Sequence, residues 1–272
     1  SATVTESRVW RVMRGRHPHE QHRVSTPLEL FFDLIFVVAI AFAGNQLHHA
    51  ISANHALHGL LSYTMVFFAI WWAWMGFTWF ASSFDTDDVA YRIAIFVQMA
   101  GALIVAAGVP SAFEQNHFFT VTIGYVVMRI ASVAQWLRAA AQSPQCRKTA
   151  LRYALGVLLA QVCWLILLIF PKQYWWWAYT FAVGFELLVP MWAERAGMTS
   201  WHPHHISERY GLFTIIVLGE SILAATNATQ QALAGGLFSV NFLLFCFGAL
   251  LTVFCMWWLY FEDEAAKQLI DY

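Results

Sequence analysis

Residues 25–44 read STPLELFFDLIFVVAIAFAG, a run of hydrocarbon interrupted near its start by two acids. Glu29 and Asp33 are four residues apart, so on a helix they share one face, about one turn from each other. A stretch this long and this apolar is a candidate membrane span. Each carboxylate inside it then costs free energy unless something pairs with it or hydrates it. Finding those partners decides how the rest of the chain is organised.

The 272 residues are 60% hydrophobic and only 11% charged, with 14 Trp. An ordinary soluble domain carries roughly 25% charged residues. Too little polar surface exists to cover a water-facing globule of this size, so the chain reads as an all-α polytopic membrane protein. A net charge of −1 offers no argument for nucleic acid. Cys146, Cys163, Cys246 and Cys255 form no CxxC pair and three lie in apolar stretches, which predicts buried inert thiols. The first twenty residues are polar and arginine-rich, so no cleavable signal peptide is expected.

Apolar runs near twenty residues occur eight times, at 27–47, 58–81, 90–109, 117–141, 150–170, 174–194, 206–226 and 237–260. Pro110, QSPQ (142–145), Pro171, WHPHH (201–205) and LAGG (233–236) mark breaks between them. Trp175 to Trp177 fit an interfacial belt, whereas Trp71, Trp72 and Trp74 sit too centrally and predict packing within the bundle. Arg8, Arg11, Arg14, Arg16 and Arg23 precede the first run, and Arg138, Arg147, Lys148 and Arg152 surround the fourth-to-fifth connection. Arg195 follows the sixth, while the alternate connections offer only Lys172. The bias places the N-terminus in the cytoplasm and, with eight spans, returns the C-terminus to the same side. Residues 1–24 read as a cytoplasmic basic amphipathic segment on anionic lipid rather than a voltage-sensing helix.

Sliding the chain by about 180 residues sets Leu30-Phe31 on Leu212-Phe213 and Asn45 on Asn227. GLLSYTMVFF (59–68) then falls on GLFSVNFLLF (236–245), and Asp85 and Asp87 on Glu262 and Glu264. The implied organisation is a parallel six-helix repeat: residues 25–195 form a first bundle, and 196–272 begin an incomplete second copy. Such a remnant is either evolutionary or the start of a longer native chain.

Polar groups at bilayer depth are functional candidates by default. They are Glu29, Asp33, Arg129, Glu186, Arg209 and Glu220, with the amides Gln98, Gln135, Gln161, Asn45 and Asn227. At 1.5 Å per residue Asp33 lies about 10 Å into its helix, Glu186 about 13 Å and Glu220 about 20 Å. Arg129 falls near the middle of the fourth helix, as the deep cation for Asp33, Glu186 or Glu220. Arg209 and Glu220 are three turns apart and too distant to pair, while the repeat sets Arg209 level with Glu29, so Arg209 is expected to bind Glu29 or Asp33. Glu208 lies nearer the surface, and His205 precedes Arg209 by four residues. Glu186 and Glu220, lacking a neighbouring base, are the expected proton carriers. Together these side chains predict one shielded polar chamber. His48, His49, His55 and His58 form an outer cluster with no acid or thiol to complete a metal site, so no metal is expected.

TPLELFFDLIFVVAIA (26–41), HISERYGLFTIIVLGESIL (205–223) and WWLYF (257–261) together resemble the bacterial low temperature requirement protein A (LtrA) family. The resemblance covers most of the chain. It implies an integral protein of the bacterial cytoplasmic (inner) membrane, tied by family name to growth in the cold, with members longer than 272 residues. The family's motif residues map onto Glu29, Asp33, His205, Glu208, Arg209 and Glu220; Arg129 and Glu186 come from burial logic alone.

A proton- or ion-coupled transporter is the leading function, with a polar cavity among helices one, four, six and seven. Its expected partners are membrane lipids and a small ion or polar small molecule; a homodimer is allowed and nucleic acid is not expected. An intramembrane lipid-modifying enzyme is the alternative, with Ser221 beside Glu220 as its weak nucleophile. A ligand-gated sensor is a third class. Retinal would need a lysine in mid-membrane, and Lys148, Lys172 and Lys267 all fall outside the spans. No nucleotide, haem or phosphate-loop signature occurs, so no cofactor is expected.

Overall fold

The computed structural model describes residues 10–16, 24–236 and 239–262. Its long elements are helices α1 (Pro27–Ser52), α2 (Ala56–Phe84), α3 (Val89–Gln115), α4 (Phe119–Gln142), α5 (Arg147–Ile169), α6 (Trp175–Glu194), α7 (Pro203–Ala234) and α8 (Val240–Phe261). Short 3₁₀ turns at Pro144–Cys146 and Lys172–Tyr174 lead into α5 and α6. All eight apolar runs are therefore helical, and no strand occurs among the described residues. Among the described residues seven helices are long and apolar enough to cross a membrane. The exception is α6, whose 20 residues include Trp175–Trp177, Glu186, Pro190 and Glu194. It has the length for a span, about 30 Å, but not the hydropathy. Arg8, Arg23, Glu264 and Lys267 lie outside the described residues.

Pro110 does not end α3, as its position led us to expect; the helix continues to Gln115 with Pro110 inside it. A proline removes one backbone donor, and within membrane spans neighbouring groups absorb that loss. The terminator is Asn116, in the left-handed region at φ 52°, whose N–H reaches back to Ser111 O.

Two compact units make up the chain: one joins Val38–His202 to the described part of Ser1–His22, the other joins Arg23–Val37 to Pro203–Tyr272. In the first unit α4 is the central helix, packed on α3, α5 and α2. Some 61% of its most apolar window lies inside, the largest share of any span. Its closest neighbour is α3, and the reason is glycine. A Cβ at Gly101 would fall 2.7 Å from Gly124 O and 2.5 Å from Met128 Cγ, so the two backbones touch where any side chain would part them. A buried amide pair, Gln98 Nε2 to Gln135 Oε1 at 2.8 Å, joins the same helices. Trp74 is fully buried and Trp71 stacks on it, as their central position predicts. Trp176 and Trp177 are 50% and 78% exposed at the start of α6.

Residues 10–16 are not helical; they form an extended strap across one end of this unit. Its amides do the binding: Arg11 N donates to Asp88 Oδ2 (2.9 Å), Met13 N to Gln142 Oε1 (2.7 Å) and Arg16 N to Ser83 O (2.9 Å). Asp88 also caps α3 by accepting from Tyr91 N, and both its oxygens take the Arg138 guanidinium. Arg138 in turn donates to Arg11 O (2.7 Å) and lies under the Trp10 ring. Arg16 pairs with Asp85 at 3.3 Å.

The second unit holds the first turns of α1 with α7 and α8. Helix α8 packs on α7 and has no buried residue, presenting apolar side chains outward along its length. The four cysteines are free, but none is buried: Cys255 is exposed and the others are intermediate. Apolar stretches here have outward faces that a membrane would cover, so an apolar neighbourhood in sequence does not by itself bury a thiol.

Candidate functional site

The opening acids find their partners inside the second unit. Thr26 and Glu29 form a reciprocal cap at the start of α1: Glu29 N donates to Thr26 Oγ1 (3.2 Å) and Thr26 N to Glu29 Oε2 (2.8 Å). That leaves Glu29 Oε1 for two bases on α7, His205 Nε2 and Arg209 Nη1, each at 3.1 Å. One turn on, Asp33 takes Arg209 in a fork, with Nη2 at 2.6 Å from Oδ1 and Nε at 3.2 Å from Oδ2. Arginine suits this site because its planar donors match a carboxylate edge to edge. Glu29–His205 and Asp33–Arg209 are separated by the same 176 residues, so α1 and α7 run in one direction along the cluster. All four side chains are between 0% and 2% exposed. Glu208, next to Arg209, faces elsewhere and accepts from Ser25 N at 3.3 Å.

Arg129 and Glu186 meet inside the first unit, across α4 and α6, at 3.1 Å. Glu186 is saturated: Tyr125 OH donates to Oε1 at 2.5 Å and Trp164 Nε1 to Oε2 at 2.6 Å. Arg129 sits one turn from Tyr125 with its guanidinium 5.8 Å from that ring. A Cβ on Gly76 would lie 2.9 Å from Arg129 Nη1, so the missing side chain of α2 is what admits the cation. Arg129 Nε has no hydrogen-bond partner among the described residues.

The contacts within the second unit join Glu29, Asp33, His205 and Arg209, and those within the first join Arg129 and Glu186. Glu220 joins neither by any ion pair or hydrogen bond among the described residues and is half-exposed on α7. The neighbouring Ser221 donates to Val217 O of its own turn. Among the described residues no group of three His, Cys, Asp or Glu is placed to hold a metal ion. His58 Nε2 instead lies 2.9 Å from Phe113 O.

Sequence reasoning missed Thr26, Tyr125, Trp164, Gly76 and the Asp88–Arg138 hub. Thr26 carried a signal, the T-x-x-E spacing of TPLE, which is a helix-start signature. Tyr125 and Arg129 are four apart, but nothing local marks Trp164 or Gly76 as their neighbours.

The model of a bacterial low temperature requirement A protein matches residues 24–270. An uncharacterized protein of Rhizobium meliloti (strain 1021) is 28% identical over 253 residues, covering 90% of this chain. The chain spans 59% of the length of that relative. No solved structure matches.

Proposed function

The chain belongs to the bacterial low temperature requirement A (LtrA) family, and from that premise we propose that it is a proton-coupled secondary transporter of the cytoplasmic membrane. It crosses that membrane several times with its N-terminus inside the cell and moves a small ion or polar molecule. One observation carries the reading: a buried acid–base cluster in which Glu29 and Asp33 of α1 meet His205 and Arg209 of α7, all four side chains 0% to 2% exposed. Ionisable groups at bilayer depth are costly and mark proton and ion pathways. His205, whose Nε2 meets Glu29, is the acid–base member through which the proton passes, and moving that proton between the two sides is the coupling step.

Proteoliposomes on a solid-supported membrane test this directly, with the pH-jump current as readout. Glu29→Gln is the sharpest variant, since glutamine preserves the helix cap while deleting the charge. His205→Gln and Asp33→Asn remove the other two acid–base members. The expected result is a proton current in the wild type that each variant abolishes. A wild-type current that persists unchanged in all three variants would refute the assignment.

A further inference from the structure

At the end of the first unit away from Asp88, the α3–α4 and α5–α6 connections frame an opening of about 660 Å³. Its rim includes the amides and imidazoles of Gln115, Asn116, His117 and His58. Met65, Phe118, Leu167, Leu168 and Trp175 line both this opening and a neighbouring chamber of about 50 Å³, so the two adjoin. The inner walls add Phe68, Tyr125, Trp164 and Tyr179. These rings touch in series: Phe68 on Trp164 (6.2 Å), Trp164 on Tyr125 (6.0 Å) and on Tyr179 (5.6 Å), Tyr179 on Trp175 (5.4 Å).

The inner chamber is large enough for water but poorly made for it. A buried water needs two to four polar partners. The hydroxyl of Tyr125 and the indole N–H of Trp164 are both committed to Glu186 behind the wall. What remains facing inward is mostly ring surface and aliphatic carbon. Nor does the wall hold an ion, because Arg129 balances Glu186 at 3.1 Å and the pair has no net charge to offer. The chamber thus favours a neutral, apolar group, while the rim favours a polar one. Tyr174, Trp176 and Trp177 stand exposed beside the opening, as aromatic residues do at the membrane–water boundary.

We propose that this cavity binds the hydrocarbon chain of an amphiphile, with the end of a fatty acyl tail in the aromatic chamber, the rest of the chain in the wider opening and its polar head at the rim of Gln115, Asn116 and His117. The inference concerns occupancy alone and stands or falls separately from proton coupling. Both a phospholipid and a free fatty acid present this chemistry.

Photolabelling of the full chain in nanodiscs tests it, using a fatty acid and a phosphatidylethanolamine that each carry a diazirine at the acyl terminus. Phe68, Tyr125, Trp164 and Tyr179 should be labelled, by the fatty acid alone if the ligand is free and by both probes if it is a lipid tail. Ala69 lines the inner chamber, so Ala69→Phe should fill it and reduce that labelling at least about tenfold while labelling of outward-facing α8 persists. Thr122→Phe fills the same space from α4 and serves if the first variant does not fold. The proposal is overturned if neither probe reaches the chamber residues. Undiminished labelling in both filled variants, or displacement by a tetraalkylammonium ion but not by unlabelled fatty acid, overturns it equally.

Discussion

Replacing Glu186 by leucine should destabilise the protein far more than replacing its partner Arg129 by methionine. Both substitutions delete one member of a buried ion pair, which costs about 3–5 kcal/mol when the other member stays charged and unpaired. The two are nevertheless unequal. Losing Arg129 leaves Glu186 with the Tyr125 hydroxyl and the Trp164 indole, at 2.5 Å and 2.6 Å. Losing Glu186 strands Arg129 and both of those donors at once, and each orphaned buried donor adds about 1–3 kcal/mol. Glu186→Leu should therefore exceed Arg129→Met by about 2–6 kcal/mol. In the double variant Arg129→Met/Glu186→Leu neither charge is buried, and only the phenol and the indole are left without their acceptor. It should be more stable than Glu186→Leu, and the pair should show a coupling energy of about 1–3 kcal/mol. Reversible unfolding by SDS in mixed micelles gives the four free energies needed. Equal single costs, with a double variant that is their simple sum, would show that Glu186 is not the hub of this cluster.

Acid should weaken the strap end of the first unit. Burial alone would raise the Asp88 carboxyl, but the Arg138 guanidinium and the amides of Arg11 and Tyr91 outweigh it and hold it at about 2, against an ordinary 3.8. The unfolded chain thus takes the proton first, so about 2 kcal/mol of stability is present above pH ~4 and is lost as pH falls from ~4 towards ~2. Asp88→Asn should flatten that limb of the curve. At the α3–α4 crossing, Gly101→Val forces apart backbones in contact and should cost about 1–3 kcal/mol, read as a fall in the thermal midpoint. Gly76→Val should push the Arg129 guanidinium off its seat, and its cost should shrink in an Arg129→Met background. Equal costs in the two backgrounds would place Arg129 elsewhere.

The helices were legible because hydrophobic length is imposed by the bilayer and needs no tertiary information: the eight runs became α1 to α8. Pro110 misled because a proline in a membrane span does not terminate a helix as it does in water. Within the sites, the Arg209 pairing was legible from the offset of about 180 residues that sets Arg209 level with Glu29. The choice of Glu186 for Arg129 was not, since Asp33 and Glu220 fit the same depth argument. What selects it is the Gly76 gap on α2, the Tyr125 donor on α4 and the Trp164 donor on α5.

The strap has a mechanical consequence. Ser83 ends α2, Asp88 begins α3, and Arg138 and Gln142 close α4, so a single peptide stitches three helix ends into one block. Because the stitches are main-chain amides, they hold whatever side chains the strap carries. Relative movement of these helix ends is thereby restrained at the strap, at the end of the unit opposite the rim where the aromatic chamber opens.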